Sequence, residues 1–443
     1  MKASTFVPYA LSSFAIATVL GGCGGSQSPT AGSVAPQQSY SSSAHRTRNL
    51  STQWPVQHLI VVIQQARSFN DLFAGYPGAD AQTFGCASGA KASAVAPPMS
   101  SGSGCPSGDT KVPLEAVGLA STPCRINASF ARYYQVAWDD GAMDGWNQLD
   151  QKHPLCPYTH VNSADARPYW KLAERFAVAD HMFASTRFGA FANQLYLLAG
   201  TSEVSRNTFV IGPPRAAVWG CDSPAGSRTS ILKDDKIRLL QGPYPCFDQF
   251  PTIADRLDQA AVSWRYYYDR PGTGGTNWNA FSSIKDVFEG QDWSHDMSAP
   301  ATNVLSDIAG GNLTSVSWVL SPSSDSDAPG TRSGPKWVNA IIRAVEKSQY
   351  WANTAVVVTW IDSGDGQFYD NVAPPQLDVM GLGFRVPLIA ASKFAKQHYV
   401  SHVQYEFASI LKFIEENWAL PPLGGGATDQ RANSISDMFD FSR

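Results

Sequence analysis

An α/β fold is what this sequence predicts: a mostly parallel central sheet with helices on both faces and long loop insertions. Three continuous apolar, β-branched runs support the prediction, namely His58-Leu-Ile-Val-Val-Ile63, Asn353-Thr-Ala-Val-Val-Val-Thr-Trp360 and Arg385-Val-Pro-Leu-Ile-Ala390. Runs of this kind suit strands buried on both faces. Weaker strand segments lie at Val262–Tyr267 and Leu313–Val319. Helical patterns at Pro168–Phe176, Thr252–Ala260, Gly334–Lys347 and Tyr405–Asn417 fall between them, and such alternation argues for a parallel sheet covered on both sides. A chain of 443 residues suits one large domain with insertions. Ligands in such sheets sit beyond the carboxyl ends of the strands. The segments after Ile63 and Trp360 are therefore where a site is expected.

The first residues read as an address. Lys2 gives a positive start, and Phe6 to Leu20 is an apolar stretch ending in Leu20-Gly21-Gly22-Cys23. It is shorter than the roughly 20 apolar residues of a spanning helix, so residues 1–22 read as a signal peptide. Leu-Gly-Gly-Cys resembles a bacterial lipobox, which implies lipidation of Cys23 and membrane attachment through an N-terminal anchor. The expected location is the bacterial cell envelope, at the periplasmic face or the surface of the outer membrane. Residues 23–52, rich in Ser, Gln, Gly and Pro, read as a flexible tether. The folded domain is then 53–443.

Net charge is −4 and no Lys/Arg-rich run occurs, which argues against nucleic acid as a partner. Removing Cys23 leaves Cys86, Cys105, Cys124, Cys156, Cys221 and Cys246, an even set that suits disulfides in an oxidising compartment. Neighbours in sequence suggest Cys86–Cys105, Cys124–Cys156 and Cys221–Cys246. Six cysteines allow 15 pairings, and of the three pairs Cys221–Cys246 is the one the sequence predicts. No Cys-x-x-Cys spacing points to zinc. Residues 81–123, rich in Ser, Gly, Ala and Pro, look like a disulfide-pinned insertion.

Many segments, among them His58–Gly78, Pro168–Gly200, Trp219–Asp222, Ser317–Val338, Trp351–Pro375 and Ser401–Glu416, resemble the bacterial phosphoesterase family of phosphocholine-type phospholipases C and acid phosphatases. The resemblance implies an alkaline-phosphatase-like core. It also implies a mechanism in which a metal-bound Ser or Thr hydroxyl attacks phosphorus. Carboxylates and an Asn hold the metal there, and His residues serve phosphoryl oxygens and the leaving group.

Five strings depart from the family pattern. Where the family has Glu-Asn-Arg-Ser/Thr, this chain has Gln65-Ala66-Arg67-Ser68, losing the carboxylate at Gln65 and the amide at Ala66. Alignment without a gap from Tyr196–Gly200 puts Ala190 at the nucleophile. Ser-Asp-His becomes Ser326-Asp327-Ala328, and Tyr-Asp-His-Val becomes Tyr369-Asp370-Asn371-Val372. Asp-Asp-Trp-Gly-Gly becomes Ile361-Asp362-Ser363-Gly364-Asp365-Gly366, one Asp being replaced by Ile361 and two residues inserted.

Asp180 and His402 are candidate remnants of the site, and Asp362 and Asp365 candidate remnants of the metal set. The first expectation is a pseudoenzyme: a lipid-anchored phosphoesterase-fold protein with no cofactor that binds an unidentified ligand or protein partner. The alternative is an active phosphoric ester hydrolase holding one divalent ion on Asp362 and Asp365, with Thr186, Ser185 or Ser68 supplying a hydroxyl. A structural envelope lipoprotein is a third.

Overall fold

The computed structural model describes residues 51–89, 104–124, 130–270, 278–364 and 367–442. Cys23, the tether up to Leu50 and Asp365 lie outside the described residues.

Eight strands form the central sheet: β1 (His58–Gln64), β2 (Ala177–Ala179), β3 (Trp264–Tyr267), β4 (Met297–Ser298), β5 (Val316–Leu320), β6 (Thr354–Trp360), β7 (Leu388–Ser392) and β8 (Tyr399–Ser401). Their spatial order is β4-β3-β5-β1-β6-β7-β2-β8. β1 lies at the centre, pairing in parallel with β5 on one side and β6 on the other. Every residue of β6 is buried, as is every residue of β1 after His58. Burying one such Val, Leu or Ile side chain is worth about 1.5–3 kcal/mol, so these two strands anchor the core.

β7 alone runs against its neighbours, antiparallel to both β6 and β2. The apolar run 385–390 predicts burial and not direction. It also starts too early: Arg385 leaves the ladder, its guanidinium donating to Asp370 Oδ1 at 2.8 Å, and the strand begins at Leu388. The segments 262–267 and 313–319 shorten in the same way, to β3 and β5.

Helices α1 (Phe69–Phe73), α2 (Phe130–Trp138), α3 (Ser163–Arg175), α4 (Ala190–Ala199), α5 (Ile253–Gln259), α6 (Asn303–Gly310), α7 (Gly334–Glu346) and α8 (Phe407–Trp418) complete the principal elements. α3 starts five residues before Pro168, because the Asn162 side chain accepts from Ala164 N and Asp165 N and caps it there. α8 starts at Phe407 rather than Tyr405, with Glu406 in extended conformation at the cap. A four-stranded antiparallel sheet, Glu203–Ser205, Thr208–Gly212, Ser230–Lys233 and Lys236–Arg238, was not foreseen.

The domain is secured where it begins. Gln53 N donates to Asn417 O at 2.8 Å, and Trp54 stacks on Phe413 and Phe441 at 4.9 and 5.0 Å. Disulfides join Cys86–Cys105, Cys124–Cys156 and Cys221–Cys246. The first pins the hairpin of Phe84–Ala87 with Thr110–Pro113 inside the insertion. Among the described residues no helix is long and apolar enough to cross a membrane.

Candidate functional site

The carboxyl ends of β1 and β6 come together as the parallel sheet requires: Arg67 N donates to Asp362 O at 3.1 Å and Ile361 N to Gln64 O at 2.9 Å. Ala66 has φ +57°, the left-handed region that costs a non-glycine residue about 1–2 kcal/mol. Asn tolerates this region better than most residues. The backbone conformation is thus one suited to the family's amide, although the amide is absent.

A small cavity of about 10 Å³ lies at this edge, between the β6 end and the start of α4. Asp362 and Ser363 line one side, and Thr186, Phe188, Gly189 and Asn193 the other. Gly189 is the residue before Ala190, so Asp362 and the head of the helix that Ala190 opens do meet here. The volume leaves room for about one water. Tyr133, Tyr134 and Phe384 close it.

The plug is well fixed. Tyr134 stacks on Phe384 at 4.9 Å, donates to Leu382 O at 2.9 Å and accepts from Gln376 Nε2 at 2.7 Å. Trp146 backs Phe384 at 4.8 Å. Burial pushes Tyr134 well above the ordinary tyrosine range. Gly383 permits the closure, since a Cβ there would meet Thr186 O at 2.5 Å.

Asp362 is half-buried and its Oδ1 accepts from Gly364 N at 2.9 Å. Burial lifts its pKa to about 6, against the opposing pull of that N–H. Ile361 is fully buried in the main hydrophobic core, and Gln65 is half-buried. Neither lines the cavity.

Ala328 is elsewhere, on a turn organised by Arg67 and Asp327. Arg67 Nε donates to Asp327 O at 2.9 Å, Nη1 to Asp71 Oδ2 at 3.0 Å and Nη2 to Leu119 O. Asp327 accepts from Tyr169 Oη at 2.6 Å and Trp360 Nε1 at 2.9 Å. Burial raises it to about 6 despite those partners. Gly334 is required beneath it, because a Cβ would stand 2.0 Å from Asp327 Oδ1.

Asn371, Asp180 and His402 gather around Arg385 rather than around the cavity. The Arg385 guanidinium is fully buried and donates to Asp370 Oδ1, Asp80 O, Asp180 O and Asn371 Oδ1 at 2.7–2.8 Å. Asn371 Nδ2 donates onward to Asp80 Oδ1 at 3.1 Å. Buried Asp180 accepts from Asp80 N at 2.7 Å and pairs with exposed His402 Nδ1 at 2.9 Å. The His181 ring approaches Asp80 Oδ2 at 3.4 Å. Asp180 and His402 thus tie the ends of β2 and β8 together, and nothing in this arrangement reaches the cavity. Glu406 at the cap of α8 is held by Arg431 Nε at 2.9 Å and Thr428 Oγ1 at 3.2 Å.

The hydroxyls available to a rearranged site are engaged locally. Thr186 Oγ1 donates to Phe188 O at 3.0 Å and accepts from Phe188 N at 3.1 Å. Ser185 Oγ accepts from Phe407 N at 2.9 Å. Ser68 Oγ donates to Tyr369 O at 2.8 Å and accepts from Asp71 N at 3.1 Å, capping α1.

The donors among the described residues do not fit a divalent ion. Among the described residues Asp362 is the one carboxylate lining the cavity, and Ile361 offers hydrocarbon where a second oxygen donor is needed. Among the described residues no group of three or more His, Cys, Asp or Glu side chains converges to hold a metal. Sequence reasoning missed Tyr133, Tyr134 and Phe384, whose roles depend on segments brought from far apart.

A mostly parallel α/β sheet with its site at the strand carboxyl ends defines the class. A phosphoesterase family model matches residues 56–421. The chain belongs to the phosphoesterase family.

It is 22% identical over 330 residues to the non-hemolytic phospholipase C of Pseudomonas aeruginosa, covering 65% of this chain and 43% of that protein. It is 22% identical over 351 residues to phospholipase C A of Mycobacterium tuberculosis, covering 69% and 62%. The chain therefore spans less than two thirds of these relatives. Among solved structures, a Vibrio parahaemolyticus protein of the alkaline phosphatase superfamily matches with TM-score 0.34 and 13% identity, covering 61% and 65% of the two chains. Murine ectonucleotide pyrophosphatase/phosphodiesterase 5 matches with TM-score 0.37 and 7% identity, covering 62% and 94%.

Proposed function

We propose that this phosphoesterase-family chain no longer hydrolyses phosphoesters by the metal route and acts by binding. We further propose that a lipid on Cys23 holds it at the bacterial cell envelope. The observation that carries the first reading is the collapsed cavity. Among the described residues Asp362 is its lone lining carboxylate, Ala190 opens the helix where a nucleophile is implied, and an aromatic plug leaves room for about one water.

A phosphoryl group with its ion needs several oxygen donors and space for an in-line attack. The residues retained from the family pattern are accounted for by structural contacts. Arg67, Asp180 and Arg385 each satisfy buried backbone or carboxylate groups, which is work that a binding protein needs as much as an enzyme does. The curated relatives named phospholipase C cover a longer chain, and their activity does not transfer with the fold.

The test is hydrolysis of p-nitrophenyl phosphate and p-nitrophenylphosphorylcholine by the purified protein with Mn²⁺, Zn²⁺ or Ca²⁺ supplied in turn. No rate above the protein-free blank is expected, since loss of an essential nucleophile alone costs about 10⁶ in well-studied hydrolases. A metal-dependent rate that disappears in Asp362→Ala would establish the rearranged hydrolase instead.

A further inference from the structure

No Lys/Arg-rich run occurs in the sequence, yet the fold gathers five cations in one place. α3 and α7 lie side by side with an open groove of about 680 Å³ between them. An ion pair from Arg175 Nη2 to Glu346 Oε1 ties their last turns together. On α3 the groove is lined at Ala164, Arg167, Pro168 and Lys171, and on α7 at Lys336, Asn339, Ala340 and Arg343. Each set follows the i, i+3, i+4, i+7 spacing of one helix face. Arg332, just ahead of α7, is the fifth cation.

Charge in the groove is one-sided. All five cations are exposed, and among the described residues none of them makes an ion pair or a side-chain hydrogen bond. Asp165 is the one carboxylate lining the groove among those residues, and it is turned to neutral donors. Its Oδ2 accepts from Leu119 N at 2.9 Å and from Asn162 Nδ2 at 3.2 Å. The segments outside the described residues offer no matching counter-charge. Residues 1–50, 90–103, 125–129 and 271–277 contain no Asp or Glu, and 365–366 hold Asp365 alone. The complementary anion therefore belongs to another molecule.

The floor and the spacing narrow its class. Pro168 and Ala340 are half-buried, with Leu119 and Pro335 buried beneath them, so the floor is apolar and built of small side chains. Among the described residues no Trp, Tyr or Phe lines the groove, which leaves nucleobases no ring to stack on. The large hydrophobic side chains that are exposed, such as Leu239 and Leu377, lie elsewhere, so the groove presents none to enter a bilayer. The cations are strung along the helices instead of converging on a point: along the axis Arg167 and Lys171 are about 6 Å apart and Lys336 and Arg343 about 10 Å. An amphipathic helix carries acidic side chains at the same i, i+4 interval, on the flanks of an apolar stripe. Laid on a floor of small residues, it comes close enough for both flanks to meet the two cationic rows.

We propose that the groove between α3 and α7 docks an acidic amphipathic helix of a partner protein. The surface shares no lining residue with the collapsed cavity. The inference goes beyond the loss of hydrolysis and does not rest on it.

The experiment titrates a fluorescently labelled helical peptide, with Glu on its flanks and Leu and Ala on its inner face, with the purified protein and follows anisotropy. Saturable binding is expected, weakening as salt is raised. The same peptide with Gln in place of every Glu is expected not to bind, and polyglutamate, which has the charge without the apolar face, to bind about tenfold more weakly or less. Lys336→Glu with Arg343→Glu, at two exposed positions, is expected to lower affinity about tenfold or more with melting temperature nearly unchanged. Lys233→Glu with Lys236→Glu, on the four-stranded sheet, makes the same change in net charge and is expected to leave affinity within about twofold. Equal binding of the Gln peptide or of polyglutamate, equal losses in the two double variants, or no saturation would each overturn the proposal. Binding to phosphatidylglycerol vesicles without binding to the peptide would do so too, and would give the groove to a membrane surface. Activity on phosphoesters does not enter this readout, so failure here and failure of the pseudoenzyme reading are distinguishable.

Discussion

Restoring one family carboxylate by Ile361→Asp tests whether the neighbouring side chains still leave space for an ion. Ile361 is 0% exposed and packs in the main core at the end of β6. Its replacement forfeits about 2 kcal/mol of apolar burial. It also places a carboxyl among core hydrocarbon, at about 2 kcal/mol or more if no partner reaches it. The sum is a loss of about 4 kcal/mol. With about 2 cal/mol/K of unfolding entropy per residue over the folded domain, that is a fall of about 5 °C in Tm. The assay is thermal unfolding followed by circular dichroism, with and without excess Mn²⁺ or Zn²⁺. A variant that melts like the parent, or regains its stability only when metal is added, would refute the argument. Either result would mean that the Asp side chain finds the donors of a latent metal site.

Four other outcomes are expected. Arg385→Met leaves Asp370 buried and unpaired, costing about 3–5 kcal/mol in urea unfolding; Arg385→Met with Asp370→Leu recovers much of that loss, and no recovery would deny the pair its structural role. Ala66→Asn relieves a left-handed backbone and gains up to about 1 kcal/mol without conferring metal binding, which calorimetry checks. Glu415, raised to about 8 chiefly by burial and then by Asp429, favours the fold fully below about pH 4.5 and loses that contribution as pH rises through about 8. Tm should therefore fall across that interval in the parent and flatten in Glu415→Gln; parallel curves would show the opposite. Replacing Cys221 and Cys246 together by Ser, across a separation of 25 residues, costs about 3.5 kcal/mol, which urea unfolding measures.

The strands most legible in the sequence were those buried on both faces, because an unbroken run such as Leu59–Ile63 has few other places to go. Direction was not legible. β7 is as apolar as β6, and its antiparallel course follows from chain connections that local pattern does not carry. β2 and β8, at three residues each, are too short for periodicity to register.

At the candidate site, the altered strings could be read position by position, since each is local. The plug could not, because Tyr134, Phe384 and Trp146 converge from three separate segments. The same is true of the basic groove, whose cations extend from Arg167 to Arg343 along the chain. The pairing of His402 with Asp180 joins residues 222 positions apart, which no local pattern carries.

The most direct test of the central claim is metal content. The purified protein is equilibrated with Mn²⁺, Zn²⁺ or Ca²⁺, freed of loosely held ions by gel filtration, and measured by plasma mass spectrometry beside Asp362→Ala. The account predicts substoichiometric metal that is the same in both proteins. A stoichiometric ion retained by the parent and lost in Asp362→Ala would contradict it.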